Sequence, residues 1–471
     1  MQVNSRQFRQ RAAINLADAR LQRALLRLQE KFVRGRTAAI AEIDNFEALR
    51  DAGTAIRDRT LTDLDLYLER FEERVIAAGG SVHWAQDAAQ AQDILIDIAR
   101  QYGVQRVVKS KSMVTEECNI NEALAGAGIK VVETDLGEYI LQLAHEPPSH
   151  IVAPVVHKSK EEIAELFHTH HNAPRKSDIA ELCREAREVL RPGFLSADMG
   201  ISGANFLVAE TGSVVILTNE GNGRLVTTLP PVHVAITGIE KVVPTLADLV
   251  VLLRLLPRSA TGQPITNYVS LLTGVRASDE HDGPQHFHVI LVDNGRSRLL
   301  AGDNRSMLRC IRCGACMNHC PVYQSVGGHA YGSVYPGPMG AVLTPAFAGL
   351  AASSDLPNAS TFCGACAAVC PVKIPLPDLM RNLRERELVE RLRPLRERLM
   401  LRLWIWTASH PRVYHAVTRL VVRALHRLAG REGLLHHLPG AAGWTKLRDL
   451  PAPAGDTFHA LYQRLGRHEQ P

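Results

Sequence analysis

The sequence predicts an α/β domain built on a largely parallel sheet, followed by a cysteine-rich domain, with helical regions at both ends. Three observations predict it. Short Val- and Ile-rich runs alternate with helical stretches over residues 76–300. Seven of the nine cysteines fall between Cys310 and Cys370. Ala, Arg, Gln and Leu, all good helix formers, dominate the two ends. The chain has 471 residues, 46% hydrophobic and 22% charged, an ordinary globular composition long enough for more than one domain.

Residues 1–75 read as helical, with Leu21, Leu25, Leu26 and Leu28 near helical spacing and Gly79-Gly80 as the stop. In the α/β region, 76–300, strands are expected at Val104–Val108, Ile129–Glu133, Val214–Leu217 and His286–Asp293. Helices are expected at Lys160–Phe167 and Asp178–Leu190. Residues 301–385 are rich in Cys, Gly and Pro, and Gly327–Pro345 carries too many turn formers for a regular element. Residues 386–471 return to basic helix, broken at Pro394, Pro411 and Pro439.

The net charge of +5 hides an asymmetry. From Arg381 to Pro471 there are 17 Lys and Arg against 8 Asp and Glu, a balance of +9, so the rest of the chain carries −4. A basic tail on a slightly acidic body suits an anionic partner surface. Met1–Arg36 is charged throughout and lacks the apolar run of a secretory signal. The most apolar stretch, 399–424, is interrupted by Arg402, Pro411, Arg412, Arg419 and Arg423, so no membrane span is expected. A cytoplasmic, reducing location follows, in which clustered cysteines serve metal or redox chemistry rather than disulfides.

The cysteines form two motifs. Cys310, Cys313, Cys316 and Cys320 stand in a C-x2-C-x2-C-x3-C-P run ending at Pro321. Cys363, Cys366 and Cys370 stand in C-x2-C-x3-C-P ending at Pro371. Short spacers let one loop wrap several corners of an iron–sulfide cage, and Gly314, Ala315, Gly364 and Ala365 allow close approach of the backbone. In two-cluster ferredoxins the Cys before Pro ligates the other cluster. That rule assigns Cys310, Cys313, Cys316 and Cys370 to cluster 1, and Cys320, Cys363 and Cys366 to cluster 2. The fourth position of cluster 2 is held by Ser360. Three readings of it stand: a serine-ligated [4Fe–4S] cluster, one with an open iron, or a [3Fe–4S] centre. Zinc prefers two separated C-x2-C pairs closing one tetrahedron, and four cysteines within eleven residues do not serve that geometry. Cys118 and Cys183, outside the motifs, are expected to be small buried hydrophobes.

Around these motifs lie Gly328–Pro345 and Cys370–Leu376. Upstream stand Val107–Glu117, Glu133–Ile140, Ala144–Pro154 and Ala209–Ser213. In these segments, and over nearly its whole length, the chain resembles the lactate utilisation protein B family of bacterial iron–sulfur proteins. The resemblance implies an α/β LUD domain of the NagB/RpiA/CoA transferase type. An α-helical ferredoxin-type domain with two [4Fe–4S] clusters follows it, then a helical C-terminal region. It also implies seven cluster cysteines, with Ser at the place of Ser360. The implied role is electron transfer in the oxidation of L-lactate to pyruvate, together with companion proteins of the lactate-utilisation system and an electron acceptor.

Within the α/β domain, a ligand loop is expected beyond Val214–Leu217. Glu210, Thr211, Gly212 and Ser213 precede that run; Asn219, Asn222 and Arg224 follow it. Open α/β sheets bind ligands past the carboxyl ends of their strands, and Arg224 suits a carboxylate or phosphate. Lys109, Ser110, Lys111 and Ser112 occupy a similar place after Val104–Val108, so a small anion such as a hydroxy acid would lie between the two loops. Ordinary turn duty is the competing reading. By fold analogy with CoA transferases alone, Glu210 would be a nucleophile. His168, His170 and His171 are expected to be solvated rather than metal-binding. No G-x-G-x-x-G follows a strand, so a dinucleotide site is not expected.

Three functions remain: the electron-transfer subunit, a self-sufficient hydroxy-acid oxidoreductase with substrate in the α/β domain, and a redox- or iron-sensing regulator. No nucleic-acid motif is present. The basic segment around Leu401–Trp406 serves as an interfacial patch at the inner membrane face, as a docking face for a companion, or as an ordinary packed helix.

Overall fold

Four helices open the chain: α1 (Phe8–Ala17), α2 (Ala19–Ala41), α3 (Phe46–Thr62) and α4 (Leu64–Ala77). Their ends are set locally, since the Asp18 carboxylate accepts from the Arg20 and Leu21 amides and Asn45 from that of Ala48. α2 buries Leu25, Phe32 and Ala39, a seven-residue spacing that lays one stripe inward. Leu26 points to solvent. The computed structural model describes residues 3–438, 442–445 and 448–466.

Six parallel strands form the main sheet in the order β1-β10-β7-β4-β2-β3. They are β1 (Ser81–Ala85), β2 (Arg106–Lys109), β3 (Lys130–Glu133), β4 (Met199–Ser202), β7 (Val232–Gly238) and β10 (His286–Val292). β4 and β7 are buried along their whole length, as parallel strands covered on both faces must be. One face packs on helix Ala88–Gln101 through Leu95 and Ile98; the other packs on α4 through Leu68, Phe71 and Val75.

A second sheet, in the order β8-β5-β6-β9, joins β5 (Phe206–Val208), β6 (Ser213–Thr218), β8 (Val242–Val243) and β9 (Tyr268–Leu272). Here β6 pairs antiparallel with both neighbours. Val214–Leu217 is therefore a hairpin strand, and the carboxyl-end rule for open parallel sheets does not reach the loop after it. The hairpin turns at Gly212, whose φ of +70° favours glycine.

The Gly- and Pro-rich segment departs from expectation. Gly337–Ala348 is a helix with Pro338 in its first turn, where a missing N–H costs nothing, and every residue from Gly337 to Pro345 is buried. Tertiary burial overrides its poor propensity. Two further expectations fail: Cys183 is exposed on helix Ile179–Ser196, and His171 is enclosed. His171 Nδ1 lies 2.8 Å from a Glu185 oxygen, and its Nε2 lies 2.8 Å from the Tyr139 hydroxyl. Cys118 is buried as expected, and His168 and His170 are exposed.

The chain divides into two compact units, one ending at Val389 and one beginning at Glu390. The second contains helices Leu395–Ser409 and Pro411–Leu428, with Trp404 edge-on to Tyr414 at 6.2 Å. Pro394 and Pro411 mark helix starts; Pro439 lies outside the described residues. No described helix is long and apolar enough to cross a membrane.

Two buried histidines make stability pH-dependent. Burial pushes His150 down to about 4 and His233 down to about 3. Both are neutral in the native fold, whereas the unfolded chain takes up protons below the ordinary histidine value. Their stabilising effect is full above pH 6.5 and is lost as pH falls toward 4. At pH 5 each costs about 2 kcal/mol. Denaturant unfolding at pH 7 and pH 5 is expected to show a drop of about 4 kcal/mol from the pair. His233→Asn should remove about 2 kcal/mol of the drop, and an unchanged slope would remove the attribution.

Candidate iron–sulfur centre

The two cysteine loops repeat one backbone design. In the first, Arg312 and Gly314 take φ of +58° and +78°; in the second, Phe362 and Gly364 take +55° and +82°. Each glycine starts a short helical turn, Ala315–Asn318 and Ala365–Ala368. In the first loop the Arg312 amide donates to Cys310 Sγ at 3.5 Å. In the second the Phe362 amide donates to Ser360 Oγ at 3.1 Å. Ser360 is thus the geometric counterpart of Cys310, with oxygen in place of sulfur.

All seven motif cysteines are unpaired thiols. Cys370 and Cys310 are the cysteines whose charges act on Cys313, and Cys310, Cys313 and Cys370 head those acting on Cys316. Cys320 is acted on by Cys363, and Cys366 by Cys320 and Cys363. A small cavity is lined by Cys320, Ser360, Cys363 and Cys366 together. Burial, then mutual repulsion, pushes Cys313 and Cys366 up to about 12. Burial likewise pushes Cys370 up to about 11. Cys313, Cys316, Cys320, Cys366 and Cys370, which burial keeps from ionising on their own, suit a metal that supplies positive charge as it binds, whereas hydrogen bonds to the exposed Cys363 favour its thiolate. The donor set, the amides aimed at sulfur and the small-residue loops all fit iron–sulfur groups.

Cations surround the first loop. Arg50, on α3, donates through Nε and Nη2 to the Cys370 carbonyl at 3.0 and 2.7 Å. Arg36, on α2, donates to Val369 O at 2.9 Å, and the charges of Cys313 and Cys370 act on it. Arg312 feels Cys310 first among its charged neighbours. Buried Arg57 donates to the carbonyls of Val242, Leu308 and Glu240. These groups brace the loop against the helical region and would offset the negative charge of thiolate-bound iron–sulfide there. In the second loop, Arg384 lies over the Phe362 ring at 4.1 Å and donates to Ser360 O at 3.4 Å.

The first loop abuts the carboxyl ends of β7 and β10 through a buried ion network. Arg296 pairs with Glu117 at 2.8 Å and Glu240 at 2.6 Å; Arg312 reaches Glu240 at 3.3 Å. The Tyr335 hydroxyl donates to Glu117 at 2.6 Å. Burial alone would raise Glu240, but Arg296, Arg312 and Lys241 hold it down to about 2. Sequence gave no hint of this network, since its members are scattered from residue 117 to residue 335.

The expected ligand loop is dispersed. Glu210 accepts from the Leu246 amide at 2.9 Å, at the start of a helix, and Thr211 bonds Ser213. Asn219 bonds Gln263, and Arg224 lies over the Tyr268 ring at 5.7 Å. Asn222 reaches toward the β2 and β3 ends, 3.3 Å from Thr134 Oγ1, as does Glu220, which accepts from the Leu136 amide at 3.3 Å. Lys109 is sealed from solvent between Glu133 at 2.5 Å and Glu116 at 3.1 Å, so its charge is already matched. Ser112 caps helix Met113–Glu117, and Lys111 donates to Val152 O.

A cleft of about 610 Å³ opens elsewhere, between the N-terminal helices, residues 146–158 and residues 327–334. In its wall His157 bridges Ser149 and Glu146, each at 2.8 Å, and Lys158 pairs with Glu146. Burial pushes His157 down to about 4. The signal for this wall was the run of polar residues around Pro147-Pro148, which spacing arguments passed over.

Three family models match the chain: the LUD domain over residues 68–292, the 4Fe-4S dicluster domain over 306–374, and the C-terminal domain of lactate utilisation protein B over 383–467. Among curated proteins, lactate utilization protein B of Shouchella clausii is 45% identical, covering 100% of both chains. That of Bacillus licheniformis is 44% identical over 98% of each, and that of Oceanobacillus iheyensis 43% over 96% of this chain and 94% of its own. Full-length identity of this order, joined to the paired cysteine loops behind an α/β sheet, places the chain in the lactate utilisation protein B family.

Proposed function

We propose that this chain carries electrons in the oxidation of L-lactate to pyruvate, holding two [4Fe–4S] clusters in the crossed arrangement. Cys310, Cys313, Cys316 and Cys370 hold the first; Cys320, Cys363 and Cys366, with Ser360 at the fourth corner, hold the second. The observation that carries the reading is the crossing itself: Cys370 lies among the first loop's thiols and Cys320 among the second's. Clusters so held supply one-electron redox chemistry, whereas lactate oxidation releases two electrons and two protons. Two one-electron sites in a single chain match that count.

The protein's own residues divide the work. Arg36, Arg50 and Arg312 offset charge around the first set of thiols. Cys363 is exposed, which makes the second loop the labile one and the natural edge for exchange with an acceptor. Lactate oxidation itself belongs to companion proteins. The basic C-terminal region is their docking face: from Leu399 to Leu428 it carries five arginines and no acid, with Leu403, Trp404 and Trp406 exposed. A peripheral contact with the anionic inner membrane face from the cytoplasm uses the same chemistry.

Protein purified without air is expected to be brown and to hold about eight irons and about eight sulfides per chain. Lactate should bleach its visible absorbance only when the companions are present. A colourless preparation, or a single cluster, sinks the two-cluster reading. Bleaching by lactate with the purified chain alone would favour the self-sufficient oxidoreductase.

A further inference from the structure

Three tyrosines are wholly buried beside the cysteine loops: Tyr323, Tyr331 and Tyr335. Two of their hydroxyls are paired. Tyr323 donates to Ser149 O at 2.8 Å, and Tyr335 to Glu117 at 2.6 Å. The Tyr331 hydroxyl is buried and has no hydrogen-bond partner. An unpaired buried hydroxyl is costly, and a native fold keeps one where something outside the polypeptide answers it.

The ring is held firmly. Phe8 meets it edge-on at 5.2 Å, and Tyr323 lies 6.2 Å away. Its short turn, His329–Tyr331, closes on Gly332 in a left-handed conformation, and the Gly332 carbonyl accepts from the Asn4 amide at 2.9 Å. The thiols acting on Tyr331 come from both loops: Cys320, Cys316 and Cys366. Yet no cysteine sulfur is within hydrogen-bond reach of its hydroxyl. A sulfide held between those thiols would answer it.

We infer that Tyr331 donates a hydrogen bond to a sulfide of an iron–sulfur group where the two cysteine loops meet, and so sets that group's reduction potential. The inference rests on the two-cluster reading given above. Reduction adds one electron and no proton. The added charge spreads over sulfur, so a neutral O–H donor stabilises the reduced state more than the oxidised one and keeps its own proton. Tyr331 is a positioning residue: it ligates no iron, and it biases an electron's residence.

Tyr331→Phe removes the oxygen and nothing else. In anaerobically purified holoprotein the variant is expected to keep the iron and sulfide content of the wild type. In an EPR-monitored titration one midpoint should move to lower potential. At the wild-type midpoint the ratio of reduced to oxidised cluster should fall about tenfold, equal to about 59 mV for one electron. A purely structural role would not produce this, since it would leave both midpoints in place. Both midpoints unchanged with full iron overturns the inference and leaves the two-cluster reading standing. Wild-type protein with one cluster or none overturns that reading instead. As a second measurement, wild-type protein in deuterium oxide should show an exchangeable proton coupled to the reduced cluster; its absence overturns the inference even if the variant loses iron.

Discussion

Cys370→Ala is expected to strip iron from the loop of Cys310, Cys313 and Cys316, fifty or more residues earlier, while leaving the other site loaded. The reciprocal variant, Cys320→Ala, should empty the site of Cys363 and Cys366 and spare the first. Local ligation predicts the reverse pairing. The structure favours crossing because Cys370 sits among first-loop charges, with its carbonyl held by Arg50 from α3 and its Sγ accepting from the Ile374 amide at 3.4 Å. A thiolate ligand removed from a closed four-thiol set leaves no spare donor nearby, so loss at that site should be nearly complete rather than graded. The second site, with an oxygen at Ser360 and an exposed Cys363, already lacks a full thiolate set and should lose iron fastest in air. Iron analysis with EPR of the two reduced variants reads the pairing directly. Loss of the Cys363 and Cys366 site in Cys370→Ala would refute the crossing.

Much of this site was legible because its chemistry is local. Cysteine spacing, the glycines between, and the proline after the last Cys are short-range facts that survive in one dimension. The same holds for β2 and β10, whose Val and Ile runs bury on both faces, and for β3, whose valines are half-buried at the sheet edge. Legibility stopped where distant chain supplies the partner. β4 is four residues long and includes Gly200, needed because a Cβ there would meet Val226 O at 1.9 Å; nothing in its own sequence says so. Helix Gly337–Ala348 exists because its surroundings bury it, against the habits of Gly and Pro. His171 reads as a solvated histidine until Tyr139 and Glu185 close on it. Glu210 and Arg224 read as a ligand loop because a hairpin strand was taken for a parallel one.

The charges that tie the cysteine domain to the sheet were the least readable, and they carry the largest expected effect on stability. Arg296 is wholly buried, paired with Glu117 and Glu240, and stacked 4.6 Å from the Phe347 ring. Arg296→Met fills most of the volume but leaves two carboxylates with less compensation. Glu117 keeps Tyr335 and Asn294, and Glu240 keeps Arg312. Removing one partner of a buried ion pair costs about 3–5 kcal/mol, a large share of a stability of about 5–15 kcal/mol. The pH dependence identifies the cause. In the wild type Glu240 is depressed to about 2, so its contribution is complete above the ordinary carboxylate value of 4.5 and is lost as pH falls toward 2. In the variant Glu240 still has Arg312, but Glu117 keeps only the neutral Tyr335 and Asn294, and its burial pushes it above that value. Its folded form then binds a proton more tightly than the unfolded chain does, and that part of the stability falls as pH rises. The gap between the two proteins should therefore narrow from pH 7 to pH 5, and Glu117→Gln added to Arg296→Met should recover part of it at pH 7. Denaturant midpoints measured at both pH values decide the matter. A loss below about 1 kcal/mol, or a gap independent of pH, would mean that packing rather than this ion network joins the two domains.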